Sequence, residues 1–170
     1  MIRALISGEK IFSNSNEAFS LYERSRFGEK RKDRIEYSLI EALFLIKNSR
    51  MKIFSKNKEL SEEEFVRKAK KVDKKIELKF PVFSNLRKKG YILKTALKFG
   101  AEFRIYKKGI KPGQDHALWI LSIVKESDNF SWYDFAAKNR VAHSAKKKLL
   151  IAIVDDEEDV TFYEISWTKP

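Results

Sequence analysis

Tyr106, His116 and a run of lysines at 146, 147 and 148 bring a phenol, an imidazole and several ammonium groups into the second half of a 170-residue chain. Such groups can work on a phosphodiester without a metal. One accepts a proton from an attacking hydroxyl, another protonates the departing oxygen, and a cation steadies the charge on the crowded phosphorus. RNA carries that hydroxyl itself, at the 2′ position. Histidine suits the acid role because its ordinary pKa lies near neutrality. A phenol ordinarily titrates near ~10, so a tyrosine serves as base only beside a cation that favours phenolate, and a lysine supplies both needs. Taken singly, each residue has a plainer explanation. A strand-end tyrosine is usually amphipathic packing, a lone histidine a surface or capping group, and one lysine among three a solvated charge.

The elements that must position these groups are legible from patterning. Glu102 to Tyr106 and Ala117 to Val124 read as two strands, which puts the tyrosine at the end of one and the histidine at the start of the next. Between them Gly109 to Asp115 is rich in turn formers, at a sheet edge where functional loops commonly sit. Ser131 and Asp134 can cap a helix running toward Lys148, and Leu149 to Val154 is an apolar run suited to a strand buried on both faces. An acidic turn follows, and Val160 to Trp167 closes the chain as an aromatic-rich strand.

Upstream, Ile2 to Ile6 and Ile11 to Phe12 around Gly8 read as a hairpin, followed by a helix from Glu17 to about Arg24. Ser38 precedes a helical apolar face at Leu39, Ile40, Ala42, Leu43 and Ile46, and Met51 to Phe54 alternates like a strand. Ser61 and Glu64 form a capping box for a helix whose Phe65, Ala69, Val72 and Ile76 share one face. The style changes around Pro81, where a short Phe83 to Lys89 helix leads through Gly90 into Tyr91 to Phe99. Two modules are therefore expected, residues 1–80 and 81–170.

Thirty-six Lys and Arg against 24 Asp and Glu give a formal net charge of +12, which favours a polyanionic partner, nucleic acid before membrane surface. Residues 81–154 concentrate the charge, with fifteen Lys or Arg against five Asp or Glu. The absence of cysteine excludes disulfides, thiolate metal sites and thiol nucleophiles, and fits a reducing compartment. Met1 to Phe12 reads as neither signal peptide nor anchor, and a soluble cytoplasmic protein is expected.

Three segments carry a resemblance to a known family. They are Phe103-Arg104-Ile105-Tyr106-Lys107-Lys108-Gly109, then Lys111-Pro112-Gly113-Gln114-Asp115-His116, then Arg140 to Leu150 running into Ile151-Ala152-Ile153-Val154-Asp155. Their order and spacing resemble the archaeal tRNA-splicing endonucleases and their eukaryotic catalytic relatives. The resemblance implies an α+β fold: a small mixed α/β N-terminal module, then a nuclease-type module with a central mixed sheet flanked by helices. It implies a catalytic trio of Tyr106 as base, His116 as acid and Lys147 as stabiliser. It also implies cleavage of precursor tRNA at a bulge-helix-bulge, leaving a 2′,3′-cyclic phosphate and a 5′-hydroxyl with neither cofactor nor metal. Unstacked bulge nucleotides are accessible where the deep groove of A-form RNA is not. Arg140 falls where one base-clamping arginine of the family falls, and Lys107 and Lys146 are further RNA-contact candidates.

By the same resemblance the acidic turn Asp155, Asp156, Glu157, Glu158 and Asp159 inserts into a basic pocket on a neighbouring subunit. The last strand, with Phe162 and Tyr163, pairs with a two-fold mate. Family assemblies are homotetramers, or heterotetramers with a structural subunit. Two other functions remain to be weighed. One is a noncatalytic RNA-binding structural subunit. The other is a metal-dependent nuclease built on Glu77-Leu78-Lys79, with Asp73 or Asp115 as a further carboxylate.

Overall fold

The protein is described by a computed structural model covering residues 1–168. The chain divides into two compact units, Met1–Phe80 and Pro81–Pro170. Among the described residues, mixed sheets and five helices make it an α+β protein. No helix among them is long and apolar enough to cross a membrane.

In the first unit β1 (Ile2–Ser7) and β2 (Lys10–Ser13) form the expected hairpin, with Ile6 opposite Ile11. Helix α1 (Asn16–Ser25) is capped by Ser15, whose hydroxyl accepts from the Ala18 amide. Strands β3 (Glu29–Lys30) and β4 (Ile35–Tyr37), helix α2 (Leu39–Lys47), and strands β5 (Met51–Ser55) and β6 (Lys58–Glu59) follow. The six-stranded order is β3-β4-β2-β1-β5-β6, in which β1 and β5 run parallel. Ser38 and Glu41 form a capping box on α2, a device that contributes about 1 kcal/mol. Glu41 is buried, and its carboxylate accepts from the Gly28 amide and from the Ser38 amide and hydroxyl. These bonds offset the cost of burying its charge.

Helix α3 (Glu62–Val72) starts at the expected Ser61–Glu64 box but ends before Ile76. Asp73 is extended there, and its carboxylate accepts from the Lys75 amide and the Lys79 ammonium, drawing the backbone away from the helix. Val72 consequently remains 47% exposed rather than joining the Phe65 and Ala69 face. Ile76 instead opens α4 (Ile76–Lys88), which continues through Pro81 where the sequence suggested a break. The proline has no N–H to reach the Glu77 carbonyl, and its ring crowds that carbonyl. Burial of Ile76, Val82, Phe83 and Leu86 outweighs that missing bond.

The second unit holds β7 (Ile92–Ala96), β8 (Ala101–Tyr106), β9 (Trp119–Lys125), α5 (Trp132–Ser144), β10 (Lys148–Val154) and β11 (Val160–Ile165). Strand β7 stops at Ala96. Its register with β8 shifts at Thr95 and Ala96, and Leu97–Phe99 turns as a single 3-10 helix closed by Gly100 at φ 64°. The sheet order is β11-β10-β9-β8-β7, antiparallel except for β9 and β10, which run parallel and are joined by α5. Side chains alternate across a strand. Ile120, Leu149 and Ile151 therefore share the face covered by Ala142 of α5, while Phe103 faces the other way and packs on Phe83 of α4. The sheet is flanked by helices on both faces.

Candidate active site

Topology brings the chemistry-bearing residues to one end of the second sheet. Strand β8 runs antiparallel to β9, with Ile105 opposite Trp119, so the end of β8 meets the start of β9. Strand β10 runs parallel to β9, with Lys148 opposite Trp119, so its start lies there too. Tyr106 is the last residue of β8, His116 lies on the loop joining β8 to β9, and Lys147 immediately precedes β10. All three line one pocket of about 400 Å³, together with Lys98, Phe99, Arg104, Gly113, Gln114, Asp115 and Ala117.

Each residue reaches that pocket by a local device. Tyr106 is buried, 5% exposed, and shares its strand face with Arg104, whose guanidinium carbon stands 6.0 Å from the centre of the tyrosine ring. His116 sits on the loop because β9 begins only at Trp119, two residues later than the pattern suggested. The loop is built on Lys111-Pro112-Gly113-Gln114. The Gln114 amide donates to the Lys111 carbonyl over 3.0 Å, the Gln114 side chain accepts from the Lys111 amide, and Gly113 takes φ 96°. Proline second and glycine third is the type II turn combination, and it needs a left-handed third residue. Asp115 then accepts from the His116 amide at 2.6 Å, fixing the backbone of the exposed imidazole.

Lys147 is delivered by the end of α5, which the Ser131 hydroxyl caps at its start by accepting from the Asp134 amide. At the other end the Lys146 amide donates to the His143 carbonyl and the Lys147 amide to the Ala142 carbonyl. This is a Schellman closure with Lys146 at the left-handed position, φ 54°. The Lys147 ammonium donates to the Ala145 carbonyl and lies 5.9 Å from the Phe99 ring centre. On the opposite face, Glu164 accepts from the Lys148 ammonium at 2.6 Å and the Trp119 indole at 2.7 Å, tying the starts of β9 and β10 to β11. The ammonium first, and the indole second, hold the Glu164 carboxyl below its usual pKa.

The other candidates lie outside this pocket lining. Arg140 lines an adjacent groove with Ala137, Val141, Ser144 and Ala145, and the two hollows share Phe99. Lys107 is exposed on the loop after Tyr106, and Lys146 is occupied with closing the helix. Glu77 pairs with Lys70 and Lys79 with Asp73, each at 2.7 Å, so the Glu-Leu-Lys element is spent on ion pairs of the first unit. Among the described residues no group of three or more His, Cys, Asp or Glu is arranged to hold a metal.

The acidic turn is exposed from Asp156 to Asp159. Asp155 organises it by accepting from the Glu157 and Asp159 amides, each at 2.9 Å. Phe162 is half-buried beneath the Lys89 ammonium, and Tyr163 is exposed on the edge strand.

Sequence reading missed Phe99 and Arg104 as pocket residues. Arg104 had a usable signal, since it stands two residues before Tyr106 on an alternating strand. Phe99 had none, because it enters through a 3-10 turn that no local pattern marks.

Comparison with known proteins covers both units. Residues 2–66 match the family model described as tRNA intron endonuclease, N-terminal domain, and residues 76–162 match tRNA intron endonuclease, catalytic C-terminal domain. A tRNA-splicing endonuclease of Thermococcus onnurineus is 39% identical over 165 residues, covering 96% of this chain and 95% of the relative. The corresponding protein of Methanothermobacter thermautotrophicus is 39% identical over 150 residues, 88% of this chain and 87% of its own. That of Nanoarchaeum equitans is 43% identical over 141 residues, 79% and 90% respectively.

Proposed function

The chain belongs to the tRNA intron endonuclease family, and from that premise we propose that it cuts precursor tRNA at bulge-helix-bulge splice sites through its pocket of Tyr106, His116 and Lys147. The observation that carries this reading is the shared pocket itself, where a phenol, an imidazole and an ammonium from three separate segments face one space. The formal net charge of +12 suits a polyanionic substrate.

In this mechanism the 2′-hydroxyl beside the scissile phosphate loses its proton to the Tyr106 phenolate, and its oxygen attacks phosphorus. Lys147, lifted from the Ala145 carbonyl, stabilises the negative charge of the phosphorane. The bond to the 5′-oxygen breaks as His116, entering as imidazolium, gives that oxygen a proton. A 2′,3′-cyclic phosphate and a 5′-hydroxyl result, with no water consumed and no metal required. Tyr106 and His116 end in exchanged protonation states, which solvent resets. The acid and base roles need separate groups on opposite sides of phosphorus, because the attacking and leaving oxygens are roughly in line.

The reading extends to assembly. The exposed acidic turn and the outer edge of β11 offer a charged tip and an unpaired strand to other subunits of a tetramer, either of one chain or with a structural chain.

The decisive experiment incubates the protein with a bulge-helix-bulge RNA in EDTA, beside the same RNA carrying 2′-deoxyribose at the cut site. Cleavage of the first alone, with cyclic phosphate ends, is expected. Cleavage of both, or activity only after divalent metal is restored, would refute the mechanism.

A further inference from the structure

We infer that Arg104 is an anion ligand of the pocket, its guanidinium receiving the scissile phosphodiester of bound RNA; this rests on the reading of the pocket as the cleavage site. Arg104 and Tyr106 are two residues apart on β8, so their side chains share one face, and both line the pocket. The guanidinium is held beside the phenol, 6.0 Å from carbon to ring centre.

Ion pairing separates Arg104 from arginines that serve the fold. Arg31 and Arg34 both reach the Glu36 carboxylate, and Arg26 reaches Glu23. The Nε of Arg104 is enclosed by protein without a hydrogen-bond partner among the described residues, as is that of Arg26, but Arg26 carries the Glu23 carboxylate on Nη1 and no carboxylate pairs with Arg104 among those residues. Leaving such a donor unmatched is costly, and a native protein that keeps one calls for a reason. The carboxylate of the pocket, Asp115, accepts from the His116 amide through Oδ1, and among the described residues it makes no ion pair with Arg104.

The two lysines of the pocket are disposed differently. Lys98 holds its ammonium 5.0 Å over the Phe99 ring centre, and Lys147 rests on the Ala145 carbonyl. Either can bring a point charge to an anion. Arg104 brings a planar fork whose donors match two oxygens of a phosphate at once. Beside the proposed base, that fork orients phosphorus for the attacking 2′-oxygen, which a point charge cannot do. The expected division of labour has Arg104 setting the angle of the phosphate and Lys147 answering the charge that grows during reaction.

The test uses the intact chain and its Arg104→Lys and Arg104→Met variants, with folding checked by thermal melting. Titration with inorganic phosphate should shift the Arg104 Nε–H resonance in proton–nitrogen correlation spectra, a signal identified by its loss in Arg104→Lys. With uncleavable RNA carrying 2′-deoxyribose at the cut site, Arg104→Met should bind about ten- to a hundred-fold more weakly. The slope of log affinity against log salt should fall in magnitude by about 0.7–0.9, one phosphate contact. Arg104→Lys should restore the slope but not the single-turnover cleavage rate, because charge returns without the fork. A folded Arg104→Met variant with wild-type affinity, slope and cleavage rate would overturn the assignment and leave the nuclease reading standing. A wild-type chain that cuts no RNA even with a structural partner chain supplied, while its Arg104 resonance still answers to phosphate, would instead sink the nuclease reading and uphold the anion site.

Discussion

The Lys147 ammonium donates to the carbonyl of Ala145, two residues before it, across 3.1 Å. The cation of the pocket thus rests on the partly negative end of the helix that delivers it. Replacing Lys147 with Met should slow single-turnover cleavage by about 10²- to 10³-fold, the usual loss when a preorganised charge stabiliser is removed. The melting temperature should move by only a few degrees, since the substitution removes one part-buried hydrogen bond at a helix end. A variant that melts far below the wild type would make Lys147 a structural residue first.

Gly113 tests the loop that presents His116. Its φ of 96° is strained for any residue with a Cβ, although a Cβ there would meet no atom within 4 Å. Gly113→Ala should therefore cost about 1–2 kcal/mol through the backbone alone. Its effect on kcat should exceed its effect on KM, because the type II turn sets the position of the proposed acid. Steady-state kinetics beside thermal melts would separate the two, and unaltered kcat would show that His116 does not depend on the turn.

Lys146 holds the left-handed position of the α5 closure, where glycine is usual. Lys146→Gly should stabilise the chain by about 1 kcal/mol, raising the melting temperature by roughly 2–4 °C for a chain of this size. The same variant loses a cation next to Lys147. A weaker affinity for RNA together with a higher melting temperature would identify Lys146 as an RNA contact kept at the expense of stability, while unchanged affinity would remove it from the interface.

Tyr37 predicts an alkaline limit unconnected with the active site. Among the described residues its buried hydroxyl has no hydrogen-bond partner, and burial first, then the nearby Glu41 carboxylate, push its pKa well above the ordinary phenol value. A raised pKa in the folded state means that the stability it confers is intact below the unfolded value of ~10 and is lost as pH climbs beyond it. Tyr37→Phe should flatten the alkaline limb of a denaturation-against-pH curve. Near neutral pH it should be neutral or stabilising, since it removes an unmatched buried hydroxyl. Equal alkaline limbs in the two proteins would place the titrating group elsewhere.

Much of this molecule is legible along the chain because the relevant forces are local. Ser38, Ser61 and Ser131 announce helix starts by the hydroxyl each presents to an amide three residues on. The Lys111-Pro112-Gly113-Gln114 order announces its turn by the φ values those residues accept. Leu149 to Val154 reads as an interior strand because it is apolar on both faces. Where local rules compete, reading along the chain fails. Pro81 looks like a break between elements, yet burial of its neighbours carries α4 through it. Phe99 carries no local signal, and a register shift before it turns the chain into the pocket.

Sequence alone determined which chemistry was on offer: the phenol, imidazole and ammonium types, their order, and the strand and helix ends that carry them. Only the tertiary structure decided that these ends coincide. An antiparallel pairing of β8 with β9 and a parallel pairing of β10 with β9 together bring Tyr106, His116 and Lys147 to one edge. Strand pairing joins segments far apart in the chain, and no local pattern of spacing encodes which strands will meet. The same pairing left Arg104 in that pocket with an unmatched donor, a condition that exists only once the surrounding residues have closed around it.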